Sequence, residues 1–240
     1  MLQVMRSVGF DVGFDLDMTL ADTRAGIAAV YDALSARIGV PIDSAAVVAR
    51  LGPPLEIELA NWLPAEEIPA AAAIFRSLYP SIAVPATTLL PGAREAVEAV
   101  RRAGGRVVVV TGKNAGDAGR TVEFLGLEVD GIAGSLFGSG KGPALATFGA
   151  AAYVGDHVAD IEAARAGGAV SVAVATGPYL AGELRDHGAD VVLDDLTGFA
   201  GWFDEWRTTG AKGTAGTAGT AGTAGTAGTA GTAGDTAEIA

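Results

Sequence analysis

The stretch Phe14-Asp15-Leu16-Asp17-Met18-Thr19-Leu20 follows an alternation of apolar residues, Val8, Phe10, Val12 and Phe14. Such alternation predicts a β-strand that emerges into a loop at Asp15. Side chains two apart on an extended chain point the same way, so Asp15 and Asp17 are expected to leave the strand end aimed at one spot. Two carboxylates held that close repel each other. A divalent cation, or a division in which one is ionised and the other protonated, makes such a pair tolerable. The heptad alone also fits a solvated turn with two surface acids, so the flanking sequence has to decide.

Thr23 is expected to cap a helix over Arg24–Ile38, where Ile27, Val30, Tyr31 and Leu34 share a face before Gly39 and Pro41 stop it. Asp43 or Ser44 can start a second helix to about Leu51. Gly52-Pro53-Pro54 breaks the chain, and Leu55–Leu63 and Glu66–Tyr79 read as two more helices, with Pro80 to Pro91 irregular. From Pro91 strand and helix alternate. Strands are expected at Arg106–Thr111, Gly131–Ala133, Ala151–Val154, Val170–Val174 and Val191–Leu193; helices at Gly92–Ala103, Asp117–Leu125, Pro143–Phe148, Asp160–Ala166, Glu183–His187 and Gly198–Trp206. Val107 to Val110 has no polar face, as in strands buried within parallel sheets.

The expected class is therefore α/β, a doubly wound parallel sheet with helices on both faces. A strand, crossover helix and next strand take roughly 30 residues, and far more separates the opening strand from Arg106. The surplus is all helical. This gives a core of residues 1–20 and 89–208, interrupted by an inserted α-helical cap domain over 21–88. An insertion beside the carboxyl end of a strand is placed to act as a lid. Residues 209–240 include seven consecutive Gly-Thr-Ala triplets, Gly213 to Ala233, and are expected to form a disordered low-complexity tail with no part in catalysis.

Composition narrows the function classes. The chain has 240 residues, a formal charge of −12 and no cysteine, so a disulfide framework and cysteine metal sites are excluded. The negative charge, with no basic run to offset it, argues against nucleic acid as a partner. No apolar run approaches the ~20 residues of a membrane span, and the opening segment meets Asp11 too soon for a secretory signal. A soluble, cytoplasmic protein without a membrane partner is expected.

Polar residues stand at four strand ends: Asp15 and Asp17, then Thr111-Gly112, then Lys141, then Gly155-Asp156 with Asp160. In an open parallel sheet the carboxyl ends of the strands line one crevice, so these groups are expected to converge. Asp156 and Asp160, four apart at a helix start, share a face. Each has a plainer reading. Thr111 could be an ordinary helix cap, and His157 is expected to be a surface side chain. Gly138-Ser139-Gly140-Lys141-Gly142 invites comparison with a nucleotide phosphate loop, but Ser135 and Gly142 stand where that motif needs glycine and a hydroxyl residue.

The set Asp15-x-Asp17-x-Thr19, Thr111, Lys141 and Gly155-Asp156-x-x-x-Asp160, in this order, resembles the haloacid dehalogenase superfamily, and within it the phosphoglycolate phosphatase type with a helical cap. The resemblance spans about Val8 to Leu196 and includes Leu90-Pro91-Gly92, Ala163-Ala164-x-x-Gly167 and Thr176-Gly177. It implies a hydrolase of phosphoric monoesters acting on a small phosphorylated metabolite. Asp15 is then the nucleophile, and Asp17 the general acid and base. Thr111, Gly112 and Lys141 are the phosphate binders, with Lys141 also steadying Asp15. Mg²⁺ is the implied cofactor, held by Asp15, the backbone carbonyl of Asp17, Asp156 and Asp160. Arg50 and Gly52 lie near the expected specificity turn of the cap, where Arg50 could hold a substrate carboxylate or be a solvated helix end. Met18 departs from the family pattern, which most often has glycine there. Two other readings remain open. One is a sugar phosphomutase of the same fold; the other is a non-catalytic phosphate-binding or phospho-acceptor module.

Overall fold

The computed structural model describes residues 10–209; Val8 of the opening strand and the Gly-Thr-Ala triplets lie outside the described residues. Strand β1, Asp11–Phe14, is buried along its length and leads into the loop of the opening motif. The chain then forms a two-residue strand β2 (Ala21–Asp22), helices α1 (Arg24–Ile38), α2 (Ser44–Val48), α3 (Leu55–Leu59) and α4 (Ile68–Ile82), and a second short strand β3 (Thr88–Leu89). From there strand and helix alternate: α5 (Ala93–Arg102), β4 (Arg106–Val110), α6 (Ala115–Phe124), β5 (Gly131–Ala133), α7 (Gly142–Phe148), β6 (Ala150–Gly155), α8 (Val158–Gly167), β7 (Val170–Val174), α9 (Ala181–Asp186), β8 (Val191–Leu193) and α10 (Phe199–Thr209).

Six strands form one sheet in the order β5-β4-β1-β6-β7-β8, and every pairing within it is parallel. The chain starts in the middle of the sheet, builds outward on one side through β4 and β5, and crosses back to build the other side through β6, β7 and β8. That reversal puts a topological switch point at the carboxyl end of β1. Val12 and Phe14 face a core shared with Val107, Val109, Val154, Phe199 and Phe203. On the opposite face Gly13 leaves room for Leu145 and Tyr153, each of which would lie 2.9 Å from an added Cβ. With both faces covered, β4 needs no polar side, and Val107 to Val110 are all fully buried.

The helical insertion has an apolar cluster of its own, built on Val30, Tyr31, Leu34, Leu59, Phe75 and Tyr79. β2 and β3 pair antiparallel, Ala21 opposite Leu89 and Asp22 opposite Thr88, so the chain enters and leaves the insertion side by side. Two-residue strands have no periodicity and leave no signal in the sequence.

Four expected boundaries are corrected. α4 does not end at Tyr79 but continues through Pro80 to Ile82. Proline removes one helical hydrogen bond, yet the amide of Ala83 donates to the Tyr79 carbonyl and Tyr79, Ala83 and Val84 are buried in the insertion core, which keeps the chain on its helical path. α2 and α3 stop at Val48 and Leu59, short of Leu51 and Leu63. Thr209, placed in the tail by composition, closes α10. Among the described residues no helix is long and apolar enough to cross a membrane.

Gly92, with φ of 78°, enters α5 in the left-handed region, and a Cβ there would lie 2.2 Å from the Leu196 carbonyl carbon and 2.3 Å from the Thr197 nitrogen. The obstruction is backbone and cannot rotate away. Gly92→Ala is therefore expected to cost about 2–4 kcal/mol of stability, measured as a lowered midpoint in denaturant unfolding.

Candidate active site

β1, β4 and β6 are neighbours, and their carboxyl ends carry Asp15, Thr111 and Asp156. The amide of Asp15 extends the sheet by one more bond, donating to the Val154 carbonyl at 2.8 Å. Asp15, Asp156 and Asp160 are all buried and offer carboxylate oxygens within 4.8 Å of one another. Lys141, fully buried, lies among them: its ammonium is 3.1 Å from Asp15 Oδ2 and 2.7 Å from Asp160 Oδ1. It also donates at 2.8 Å to the Tyr153 hydroxyl, which in turn donates to the Val110 carbonyl.

Three carboxylates against one ammonium leave an excess of negative charge in a buried site. Burial is the main reason the Asp15 pKa is pushed up to about 6; Lys141 works against the rise, and Asp160 and Asp17 add to it. Asp156 is raised well above its ordinary range, first by burial and then by Asp160 and Asp15. Burial opposes the charge on Lys141, but Asp15 and Asp160 outweigh it and hold the amine protonated.

The pocket around these acids is shaped by absent side chains. A Cβ on Gly177 would lie 1.8 Å from Asp156 Oδ2, and one on Gly155 would lie 2.3 Å from Asp160 Oδ2. Thr19 donates to Asp156 Oδ1 at 2.9 Å. Asp156 precedes α8 rather than sharing a helical face with Asp160 as expected; His157 caps that helix, its Nδ1 accepting from the Ala159 amide.

Asp17 takes a different course. Asp17 lies near enough to Asp15 for its charge to raise the Asp15 pKa, and its own carboxylate is paired separately. Asp17 Oδ1 lies 2.9 Å from Lys113 Nζ and accepts from the Thr23 hydroxyl at 2.6 Å. Each carboxylate thus has a lysine of its own. Thr23 stands at the N-cap of α1 as expected, but its side chain makes no cap bond there. Lys113 is buried, with its ammonium 4.6 Å from the ring centre of Tyr79 in α4. Burial works against its charge, and Asp17 and Tyr79 together more than offset that loss and keep it protonated. Sequence reasoning overlooks Lys113, because its spacing after Thr111 marks only a loop residue.

The remaining positions can be placed one by one. Thr111 is buried and does not cap α6; Asn114 does, accepting from the Asp117 amide. Gly112 packs against the Gly52 carbonyl, 2.6 Å from where its Cβ would stand. Gly52 also abuts the His157 ring, 2.9 Å from where its own Cβ would stand, so the turn of the insertion rests on two loops of the sheet. His157 is therefore half-buried against Gly52, Phe137 and Tyr179, not a free surface residue. Arg50 faces the cleft between insertion and sheet, its guanidinium 2.5 Å from the buried carboxylate of Glu58. Met18 adopts φ of 59°, the left-handed region that glycine occupies freely, with its side chain buried.

The sequence profile of the haloacid dehalogenase-like hydrolases matches residues 12–168. The chain belongs to that family. A second profile, HAD-hydrolase-like, matches 143–199. Among solved structures, a haloacid dehalogenase-like hydrolase from Streptococcus pneumoniae aligns with a TM-score of 0.70 at 25% identity, over 81% of this chain and 98% of that one. A protein from Clostridium acetobutylicum described as a predicted phosphatase aligns with a TM-score of 0.70 at 21% identity, over 83% and 100%. One from Haemophilus somnus, described as a predicted phosphoglycolate phosphatase, gives 0.67 at 19% identity, over 82% and 99%. No curated protein matches the chain.

The donor set fits a hard divalent ion: all three acids offer oxygen, and two of them lean on glycines that keep the pocket open. A carboxyl whose pKa is raised on folding binds more protons folded than unfolded between its ordinary 3.8 and about 6. Its stabilising contribution is thus present at low pH and lost as pH rises through that window. A divalent cation held by these acids would relieve the same repulsion and compete with protons. Mg²⁺ is therefore expected to raise the melting temperature by several degrees at pH 7.5 and by much less at pH 5, as read by scanning calorimetry with and without chelator.

Proposed function

We propose that this chain is a Mg²⁺-dependent phosphomonoesterase acting on a small phosphorylated metabolite by way of an aspartyl phosphate. The observation that carries this reading is the setting of Asp15: a buried carboxylate at the switch point, beside one lysine, two further acids and the Thr111-Gly112 loop. Asp15 Oδ attacks phosphorus and the ester P–O bond breaks, with the proton for the departing alkoxide delivered by Asp17. Asp17 then takes a proton from the water whose oxygen attacks the phosphorylated Asp15, breaking the Asp15–phosphorus bond and releasing phosphate. Lys141, the Thr111 hydroxyl and the Gly112 amide stabilise charge on the transferring oxygens. Asp15, Asp156, Asp160 and the Asp17 carbonyl would hold Mg²⁺, which would supply charge neutralisation at the phosphoryl group.

The two lysines give the two acids separate tasks. Lys141 belongs to the nucleophile and Lys113 to the acid and base, where it fixes the direction of the Asp17 carboxylate. The insertion over 21–88 serves as a cap that carries the walls of the leaving-group cleft. Its seat on Gly112 and His157 supports that role, since closure there excludes water from the intermediate.

With Mg²⁺, Asp15→Asn is expected to reduce phosphate release from phenyl phosphate by at least ~1000-fold, because the amide cannot form the intermediate; retention of wild-type activity in this variant defeats the mechanism. Lys113→Met is expected to lower kcat by about 10- to 100-fold with a smaller change in KM, and Lys113→Arg to recover part of it. Steady-state kinetics of the three proteins separate the cases.

A further inference from the structure

Asp17 stands on a boundary. On one side are the buried acids; on the other is a solvent-open cleft between the insertion and the loop after β4, walled by Asp17, Gly112 and Lys113 but not by Asp15, Asp156 or Asp160. With phosphorus at Asp15 and the proton donor at Asp17, this cleft is where the leaving alcohol lies.

Its charges are already spent on one another. Lys113 pairs with Asp17 at 2.9 Å, Arg50 with Glu58 at 2.5 Å, and Arg76 with Glu56 at 2.5 Å. Asp117 accepts from Asn114 and Arg120. Glu58 cannot step aside easily: it is buried and is also held by the Trp62 indole at 3.0 Å and the Asn61 amide at 3.4 Å. A carboxylate entering the cleft meets three neutralised cations and four fixed carboxylates. Glu58 already holds Nε and Nη2 of Arg50, so a carboxylate reaching the remaining Nη1 comes up against a buried negative charge beside it.

The rest of the wall is apolar and aromatic. Ile27, Tyr31, Leu51 and Phe75 line it, with the Tyr31 and Phe75 rings 4.9 Å apart and Phe75 and Tyr79 5.9 Å apart. Tyr79 also lines the cleft, is 1% exposed, and among the described residues carries the one fully buried side-chain polar atom without a hydrogen-bond partner, its hydroxyl. A buried hydroxyl left unpaired is costly unless a ligand oxygen meets it. Faces for carbon, a free hydroxyl and no free cation together describe one chemistry.

We infer that the leaving group is an uncharged, carbon-rich alcohol with further oxygens, so that the substrate is the phosphate ester of a neutral polyol or sugar and not of a hydroxy acid. This rests on the phosphatase reading and narrows it.

The test compares two open six-carbon esters that differ only in the group at the far end, sorbitol 6-phosphate and 6-phosphogluconate, with phenyl phosphate as reference and Mg²⁺ present throughout. The wild type is expected to show a kcat/KM at least ~10-fold higher for sorbitol 6-phosphate than for 6-phosphogluconate. Tyr79→Phe is expected to lower the ratio of sorbitol 6-phosphate to phenyl phosphate by about 5- to 10-fold. Glu58→Gln is expected to raise 6-phosphogluconate relative to sorbitol 6-phosphate. Equal use of the two esters, or preference for 6-phosphogluconate, overturns the inference while leaving the phosphatase intact. A ratio unmoved by Tyr79→Phe also overturns it, even if Glu58→Gln fails to fold. No phosphate from any of the three esters overturns the phosphatase reading itself.

Discussion

The structure depends on a repulsion that folding does not remove. Asp15, Asp156 and Asp160 come from the ends of two adjacent strands and the helix that follows, and parallel pairing of β1 with β6 leaves them no way to part. Lys141 answers one charge of the three. Much of the local sequence serves to keep the rest tolerable: Thr19 donates to Asp156, Tyr153 fixes Lys141, and glycines at 155 and 177 clear space where any side chain would collide with a carboxylate. A divalent cation held there would relieve the remaining repulsion.

From that constraint the division between Asp15 and Asp17 follows. The nucleophile proposed here has to stay in the crowded cluster, while the acid and base has to reach the leaving oxygen, which lies outside it. Lys113 and Thr23 draw Asp17 toward the cleft, and Thr23 sits at the root of the insertion, immediately after the β2–β3 ribbon. The Lys113 ammonium also lies over Tyr79 of α4. The sheet and the inserted helices therefore meet at the residue that has to serve both halves of the reaction.

Much of this was legible in the chain itself. Strand alternation, the Val107–Val110 run, the helical surplus over 21–88 and the order of four polar strand ends rest on local periodicity, which is a property of neighbouring residues. These define the α/β class, the insertion point and the acids at 15, 156 and 160. Local signals also misled where a residue's role lay elsewhere. Thr23 looks like a helix cap and bonds Asp17; Pro80 looks like a stop and lies within α4; His157 looks like a surface residue and is wedged against Gly52.

Sequence by itself determined which elements form and which polar residues stand at their ends, since both follow from side-chain period and turn chemistry over a few residues. Tertiary structure alone decided which acid meets which lysine, that Arg50 is neutralised by Glu58, and that Tyr79 is buried without a partner. Those include contacts between residues as far apart in the chain as Asp15 and Lys141, and their geometry is set by strand register and helix packing, which no local pattern encodes.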